Sequence, residues 1–298
     1  MSFVDVFLSQ QLLFATLVTG ALYAIIALGL NLVYGTMRLL NVAHGELVMV
    51  GAYVGYWLFS VFGLSPLFST VVVAAFSAIV GVLLYKFLLR DMLVRVDRRE
   101  RLEANSLLLF FGLSLLIQNI VAWVETATPR AYQYMDHVYR FGDLAMTGNR
   151  IIALLVALAI CIGVTLFLRW SVFGLALRSV IEQPEAARIV GVNVEQVHIV
   201  SLTLGFASAG VAGVLLGMME QFSPFIGFPL AIAAFIVVIL GGLGNILGGF
   251  LAALLLGAIE TYGVALTSPN LRSVLLYGVF VATLMFLPQG LFAKRVSR

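Results

Sequence analysis

Long apolar stretches dominate this chain. At least seven lie between Gln11 and Pro288, and the charges are swept into a few short gaps. The stretch from Ile151 to Leu168 holds no ionisable group except the Cys161 thiol, and the run from Leu230 to Ile259 holds none. A bilayer core is about 30 Å thick, so a spanning helix needs ~20 mostly apolar residues. No soluble fold of 298 residues needs so many stretches of that length. The chain therefore reads as a polytopic integral membrane protein. Its 10% of charged residues, against roughly 25% in soluble domains, and its mean hydropathy of +1.10 agree.

No gap is long enough to fold separately, so residues 1–298 read as a single transmembrane domain. The net charge of +3 belongs to loops and implies no nucleic-acid partner. One cysteine, Cys161, lies mid-span and excludes an internal disulfide framework. The opening MSFVDVFLSQ lacks a basic start and a small-residue cleavage site, so no removable signal peptide is expected.

Hydropathy places spans near 12–34, 42–62, 67–89, 106–124, 151–169, 197–218, 246–266 and 272–289. A shorter run, 230–241, ends in Gly241-Gly242-Leu243-Gly244-Asn245 and reads as a short span or a re-entrant half-helix. Eight or nine crossings follow. The gap after the third span carries Arg90, Arg95, Arg98, Arg99 and Arg101, and the tail carries Lys294, Arg295 and Arg298. Positive loops stay in the cytoplasm, so both are expected inside and the 125–150 gap outside. Bringing the tail inside favours nine crossings with an external N-terminus. Two spans carry ladders of small residues, Gly205, Ala209, Gly213, Gly217 and Gly249, Ala253, Gly257, whose four-residue spacing lets helix backbones approach closely in lipid.

The chemistry that is missing narrows function further. There is no G-x-x-x-x-G-K-[ST], and neither Lys86 nor Lys294 follows a glycine, so the chain has no phosphate-cradling loop. There is no H-E-x-x-H, and three scattered histidines with one cysteine do not make a metal site. No catalytic residue, metal or cofactor is expected. Acidic groups are sparse within the spans: Glu46 and Glu260, both toward span ends. The chain reads as a pathway without its own motor.

The densest polar patch in an apolar setting runs from Asn31 to Glu46. A charge at a helix centre costs about 2.5–3.5 kcal/mol on insertion, so such residues face protein or water. On one reading Asn31, Asn41, His44 and Glu46 border a solute route. On the other they form a cytoplasmic turn, with Arg38 at the headgroups and His44 and Glu46 capping the next helix. His44 and Glu46 are two residues apart, on different helix faces, and are not expected to act as one site. Polar pairs near the outer span ends, Glu220-Gln221 and Glu260-Thr261 among them, read as solvated helix termini.

The 170–196 gap reads WSVFGLALRSVIEQPEAARIVGVNVEQ. Pro184 suits a first helical position, Glu185 a first turn, and Gly191 a left-handed end. A short exposed helix from Pro184 to Val190 is expected, slender at Ala186 and Ala187. By its residues alone it could be an ordinary amphipathic loop helix. Yet Arg178, Glu185-Ala186-Ala187-Arg188 and Gly191, followed by a Gly/Ala-rich span, resemble the cytoplasmic coupling loop of ABC importer permeases. Gly20 to Ala24, Asn31 to Gly35, Asn41 to Glu46 and Phe235 to Asn245 resemble the permeases of high-affinity branched-chain amino acid importers. The resemblance runs from about residue 12 to 290, and urea, amide and aromatic-acid importers share its motifs.

This resemblance implies an all-α ABC importer permease in a bacterial inner membrane with about eight spans, one fewer than the charge pattern favours, so the transmembrane helix bundle is expected to have eight or nine. It implies four kinds of surroundings: a second, related permease subunit, two cytoplasmic ATP-binding subunits, an extracytoplasmic solute-binding protein and the lipid bilayer. It also implies that Glu185, Ala186, Ala187, Arg188 and Gly191 couple the chain to an ATPase. The function it points to is import of leucine, isoleucine and valine. The alternatives are another solute of the same family or, in a different class, a proton-coupled secondary carrier.

Overall fold

A computed structural model gives the fold and describes residues 9–95, 99–142, 144–287 and 290–291. Arg98 and the tail cations Lys294, Arg295 and Arg298 lie outside the described residues. The helices are α1 (Gln10–Met37), α2 (His44–Ser60), α3 (Pro66–Leu84), α4 (Arg90–Arg95), α5 (Arg99–Glu125), α6 (Gly148–Trp170), α7 (Val172–Glu182), α8 (Pro184–Ile189), α9 (Val194–Met219), α10 (Gly227–Gly241), α11 (Ile246–Leu266) and α12 (Arg272–Phe286). A π-helical turn, Tyr85–Leu89, joins α3 to α4 without a break.

Local chemistry fixes several of these starts. Ser65 caps α3 by accepting from the Phe68 N–H at 3.4 Å, with Pro66 in the first turn. Asn193 caps α9 through the Gln196 N–H at 3.1 Å, and Asn245 caps α11 through the Gly248 N–H at 3.1 Å. Each side chain satisfies one of the N–H groups that a helix start leaves without an internal partner.

Helices α1 and α9 form the centre. From Gly20 to Met37 every residue of α1 is buried, as expected of a helix that is apolar on all sides. Both small-residue ladders lie at this centre. A β-carbon on Gly213 of α9 would come within 2.7 Å of the Ala52 nitrogen of α2. One on Gly257 of α11 would come within 2.7 Å of the Gly20 nitrogen of α1. Glycine is required there because the backbones themselves touch.

The contacts also fix direction. Gly20 of α1 meets Leu254 of α11 while Asn31 bonds Asn245, Ser77 of α3 meets Gly210 of α9 while Gly81 meets Leu202, and Leu22 shares a cavity wall with Leu216 while Gly29 meets Gly205, so α1 and α3 run opposite to α9 and α11. Arg90 pairs with Glu195 at 3.0 Å, and the Leu291 N–H donates to the Leu240 carbonyl at 2.8 Å. The arginine-rich gap, the 170–196 gap and the last described residues thus share one face. The segment between α5 and α6 lies on the other, where Arg130 and Phe222 exchange backbone bonds of 2.8 and 2.9 Å. This segment folds in part into an antiparallel hairpin, β1 (Val138–Phe141) with β2 (Leu144–Thr147).

Among the described residues seven helices are long and apolar enough to cross a membrane, α3 and α4 counting as one. The expected count of eight or nine exceeds this by the spans read at 42–62 and 230–241, which form the shorter helices α2 and α10, of 17 and 15 residues. Arg38 takes a left-handed conformation (φ 57°) and ends α1. The chain then folds back without helix through buried residues, and α2 starts only at His44, beside Ile26 and Gly29. Those residues lie about 12–16 Å from the end of α1 along its axis. The first residue of α10, Gly227, in turn packs on Glu46. Both short helices therefore begin inside the bundle.

Candidate functional site

The two helix starts meet around one carboxylate. Glu46 is fully buried in the first turn of α2, and a β-carbon on Gly227 would lie 2.7 Å from its Oε1. The N-terminus of a helix carries roughly +0.5 of an elementary charge. Two such ends, of α2 and α10, converge on Glu46, and Ser114 of α5 donates to its Oε1 at 3.0 Å. This accounts for a carboxylate in the interior of a bundle with no cation paired to it among the described residues.

His44, also fully buried, places Nε2 2.9 Å from the Ile26 carbonyl. A carbonyl only accepts, so Nε2 carries the proton and Nδ1 is left as an acceptor. Among the described residues Nδ1 has no partner, nor has Glu46 Oε2, nor either amide atom of Asn41. Asn31 differs. Its Nδ2 donates to the Asn245 carbonyl at 3.0 Å and its Oδ1 accepts from the Gly244 N–H at 2.7 Å, which clamps the turn between α10 and α11 to α1. Asn31 also lines a cavity of about 220 Å³ between α1, α6 and α11. Of the four residues read as a route, Asn41, His44 and Glu46 lie at or just before the start of α2, with His44 facing α1 and Glu46 facing α5 and α10, and Asn31 holds a turn. Ser114 and Gly227 had no signal in the sequence, because their importance comes only from what α5 and α10 are packed against.

On the opposite face a charged network closes the end of α11. Tyr23 donates to Glu260 Oε2, Arg272 pairs with Glu260 Oε1, and Arg272 reaches Glu220 Oε2 at 3.3 Å. Glu260 is buried, so it is a paired interior charge rather than a solvated terminus. The sequence signal was Arg272, a guanidinium opening an apolar run. Nearby, outside the spans, Tyr132 is buried with its hydroxyl donating to the Val214 carbonyl at 3.3 Å, and burial pushes the phenol well above its ordinary range.

On the arginine-rich face the 170–196 gap folds as two helices rather than one. Gly174 lets α7 turn back on α6, since a β-carbon would lie 2.7 Å from Leu168 Cα, and Arg178 donates to the Leu168 carbonyl at 2.6 Å. Helix α8 starts at Pro184, with Glu185 in its first turn and Arg188 in its last, and Gly191 is left-handed (φ 88°). Glu185, Ala186, Arg188 and Gly191 are exposed. Ala187 is not: it is 2% exposed and packs inward. The expected slender stem is therefore a single outward Ala186, and the apolar side chains offered outward are Ile189 (86% exposed) and Val190 (76%).

The description "Branched-chain amino acid transport system / permease component" matches residues 12–284. The chain belongs to this permease family. It is 30% identical over 295 residues to the high-affinity branched-chain amino acid transport system permease protein LivH of Escherichia coli K12, covering 95% of each chain. It is 31% identical over 290 residues to BraD of Pseudomonas aeruginosa, covering 93% of this chain and 94% of that one. Similarity extends to E. coli LivM, a second permease protein, at 27% over 288 residues, or 91% of this chain and 67% of that one. Among solved structures, PsaBC from Streptococcus pneumoniae in complex with Fab shares the fold, with TM-score 0.52 at 12% identity over 96% of each chain. As a permease component the chain is a multi-pass membrane transport subunit and not itself an enzyme.

Proposed function

We propose that this permease imports branched-chain amino acids across a bacterial inner membrane, as one of two related permease subunits of an ABC importer. Two cytoplasmic ATP-binding subunits drive it, and an extracytoplasmic binding protein delivers leucine, isoleucine or valine. The observation that carries the reading is helix α8. A six-residue helix exposing Glu185, Arg188 and Ile189, with Val190 exposed just past its end, projects from the arginine-rich face of a permease whose sequence carries no nucleotide motif. A rigid helix tied to α9 through a short turn transmits movement of a docked subunit to the bundle. Similarity to both LivH and LivM supports a pair of related permeases.

In this reading the solute passes beside Asn41, His44 and Glu46, whose unpartnered polar atoms sit where two helix starts meet, and Asn31 holds the adjoining turn. The test is co-purification from the native membrane followed by reconstitution. An ATPase should co-purify in stoichiometric amount, and leucine uptake should need ATP and binding protein. Uptake by the chain alone down a proton gradient would instead establish a secondary carrier. Uptake of urea or amides but not leucine would move the chain to another solute of the same family.

A further inference from the structure

A second cavity, of about 420 Å³, opens on the face opposite α8, between α1, α9, α10 and α11. That volume is in the range of small-molecule sites. Its rim carries four charges, Arg150, Glu220, Glu260 and Arg272, which sum to zero. They are not equivalent. Glu260 is buried and held by both Tyr23 and Arg272, so it and Arg272 form the fixed frame. Glu220 uses one oxygen, Oε2, on Arg272. Arg150 makes no side-chain hydrogen bond or ion pair among the described residues. The rim thus offers one uncommitted guanidinium and one half-committed carboxylate. Below it the walls are aliphatic, with Leu22, Ile26 and Leu230.

We infer that this cavity is where the permease receives its solute as a zwitterion, the α-carboxylate on Arg150, the α-ammonium on Glu220, and the aliphatic side chain on Leu22, Ile26 and Leu230. A solute with net charge would leave one of the two rim groups uncompensated, and a neutral amide would leave both without an ionic partner. A branched apolar side chain gains from leaving water against the aliphatic walls. The position suits a receiving site. Ile26 lines the cavity and its carbonyl holds His44, while Leu230 precedes Ala231, whose nitrogen meets Gly45. The helix segments around Ile26 and Leu230 that wall the cavity thus pack directly on the start of α2 at His44 and Gly45, and the solute would wait beside that helix start.

This inference rests on the amino-acid importer reading, and its test separates the two. Proteoliposomes holding the whole importer are supplied with ATP and leucine-loaded binding protein, and initial leucine uptake is measured. Arg150→Gln and Glu220→Gln should each lower uptake at least tenfold, and Arg150→Lys, which keeps the charge, should recover much of it. Leu230→Trp, which fills the floor without touching a charge, should lower uptake similarly. Co-purification of the ATPases and the melting temperature of each assembled complex establish that the variants fold. Wild-type leucine uptake with all of these variants near normal would overturn the site alone. A wild-type importer that carries only uncharged amides would overturn both the site and the substrate reading.

Discussion

The carboxylate of Glu46 lies against the backbone of Gly227, so close that a β-carbon there would overlap it. This contact joins two helices that both start in the interior, and it explains why a negative charge and a glycine occur where apolar bulk would otherwise serve.

Removing either partner should loosen that junction. Gly227→Ala puts a methyl into the carboxylate, an overpacking that costs about 1–3 kcal/mol. Glu46→Gln keeps an acceptor for Ser114 but loses the charge that complements two helix starts, about 1 kcal/mol. Both should lower the melting temperature of the purified permease in detergent. The double variant should lose less than the sum, since each substitution removes the same contact. Full additivity would show that the two residues are energetically independent.

Asn31 provides a separable test. Asn31→Leu removes two part-buried hydrogen bonds to the 242–245 turn and leaves the Gly244 N–H and Asn245 carbonyl without that partner, which costs about 2–4 kcal/mol. Uptake and melting temperature should fall together, whereas His44→Leu should reduce uptake with a smaller thermal effect. If Asn31→Leu lowers uptake while the melting temperature stays at the wild-type value, Asn31 acts on the solute and not on the turn.

The long helices were legible because hydropathy is a contiguous signal, and the small-residue ladders because they repeat every fourth position. The break before α2 was not. Residues 39–43 are mostly apolar and buried, and composition does not distinguish buried extended chain from buried helix, so 42–62 read as one full crossing. Nor did local sequence expose the Tyr23–Glu260–Arg272 network, whose first two members are 237 positions apart. The inward face of Ala187 was hidden for a related reason: a six-residue helix is too short to show which side its neighbours cover.

The sidedness of the charges gives a third prediction. Arginine-rich gaps remain in the cytoplasm, and the structure gathers those gaps on one face. Single cysteines at the exposed positions Glu100 and Gln133, in a Cys161→Ala background, should differ in intact cells. Gln133→Cys should react with an impermeant thiol reagent and Glu100→Cys only after permeabilisation. The reverse pattern would invert the topology and place α8 outside, where no ATPase could reach it.

The final prediction concerns coupling through α8, and the structure changes which residues should test it. Ala187→Trp is a poor probe of docking, because Ala187 is packed inward and a large ring would disrupt α8 itself. Ile189 and Val190 are the exposed pair, and Ile189→Asp with Val190→Asp should leave the permease inserted and stable while abolishing its hold on the ATPase. Gly191→Leu acts differently. A β-carbon at Gly191 meets open space, so its cost is conformational, about 1 kcal/mol or more for a left-handed residue. That change should alter the exit from α8 and weaken coupling without adding bulk at the docking surface. Val94 is an equally exposed apolar residue (75%) on the same face, so Val94→Asp is the control and should change little. The measurement is ATP hydrolysis by the assembled importer with and without loaded binding protein, alongside leucine uptake. Stimulated hydrolysis and uptake should collapse in the Ile189–Val190 variant and persist in Val94→Asp. Retention of both activities in the double variant would show that the ATPase engages some other part of this face.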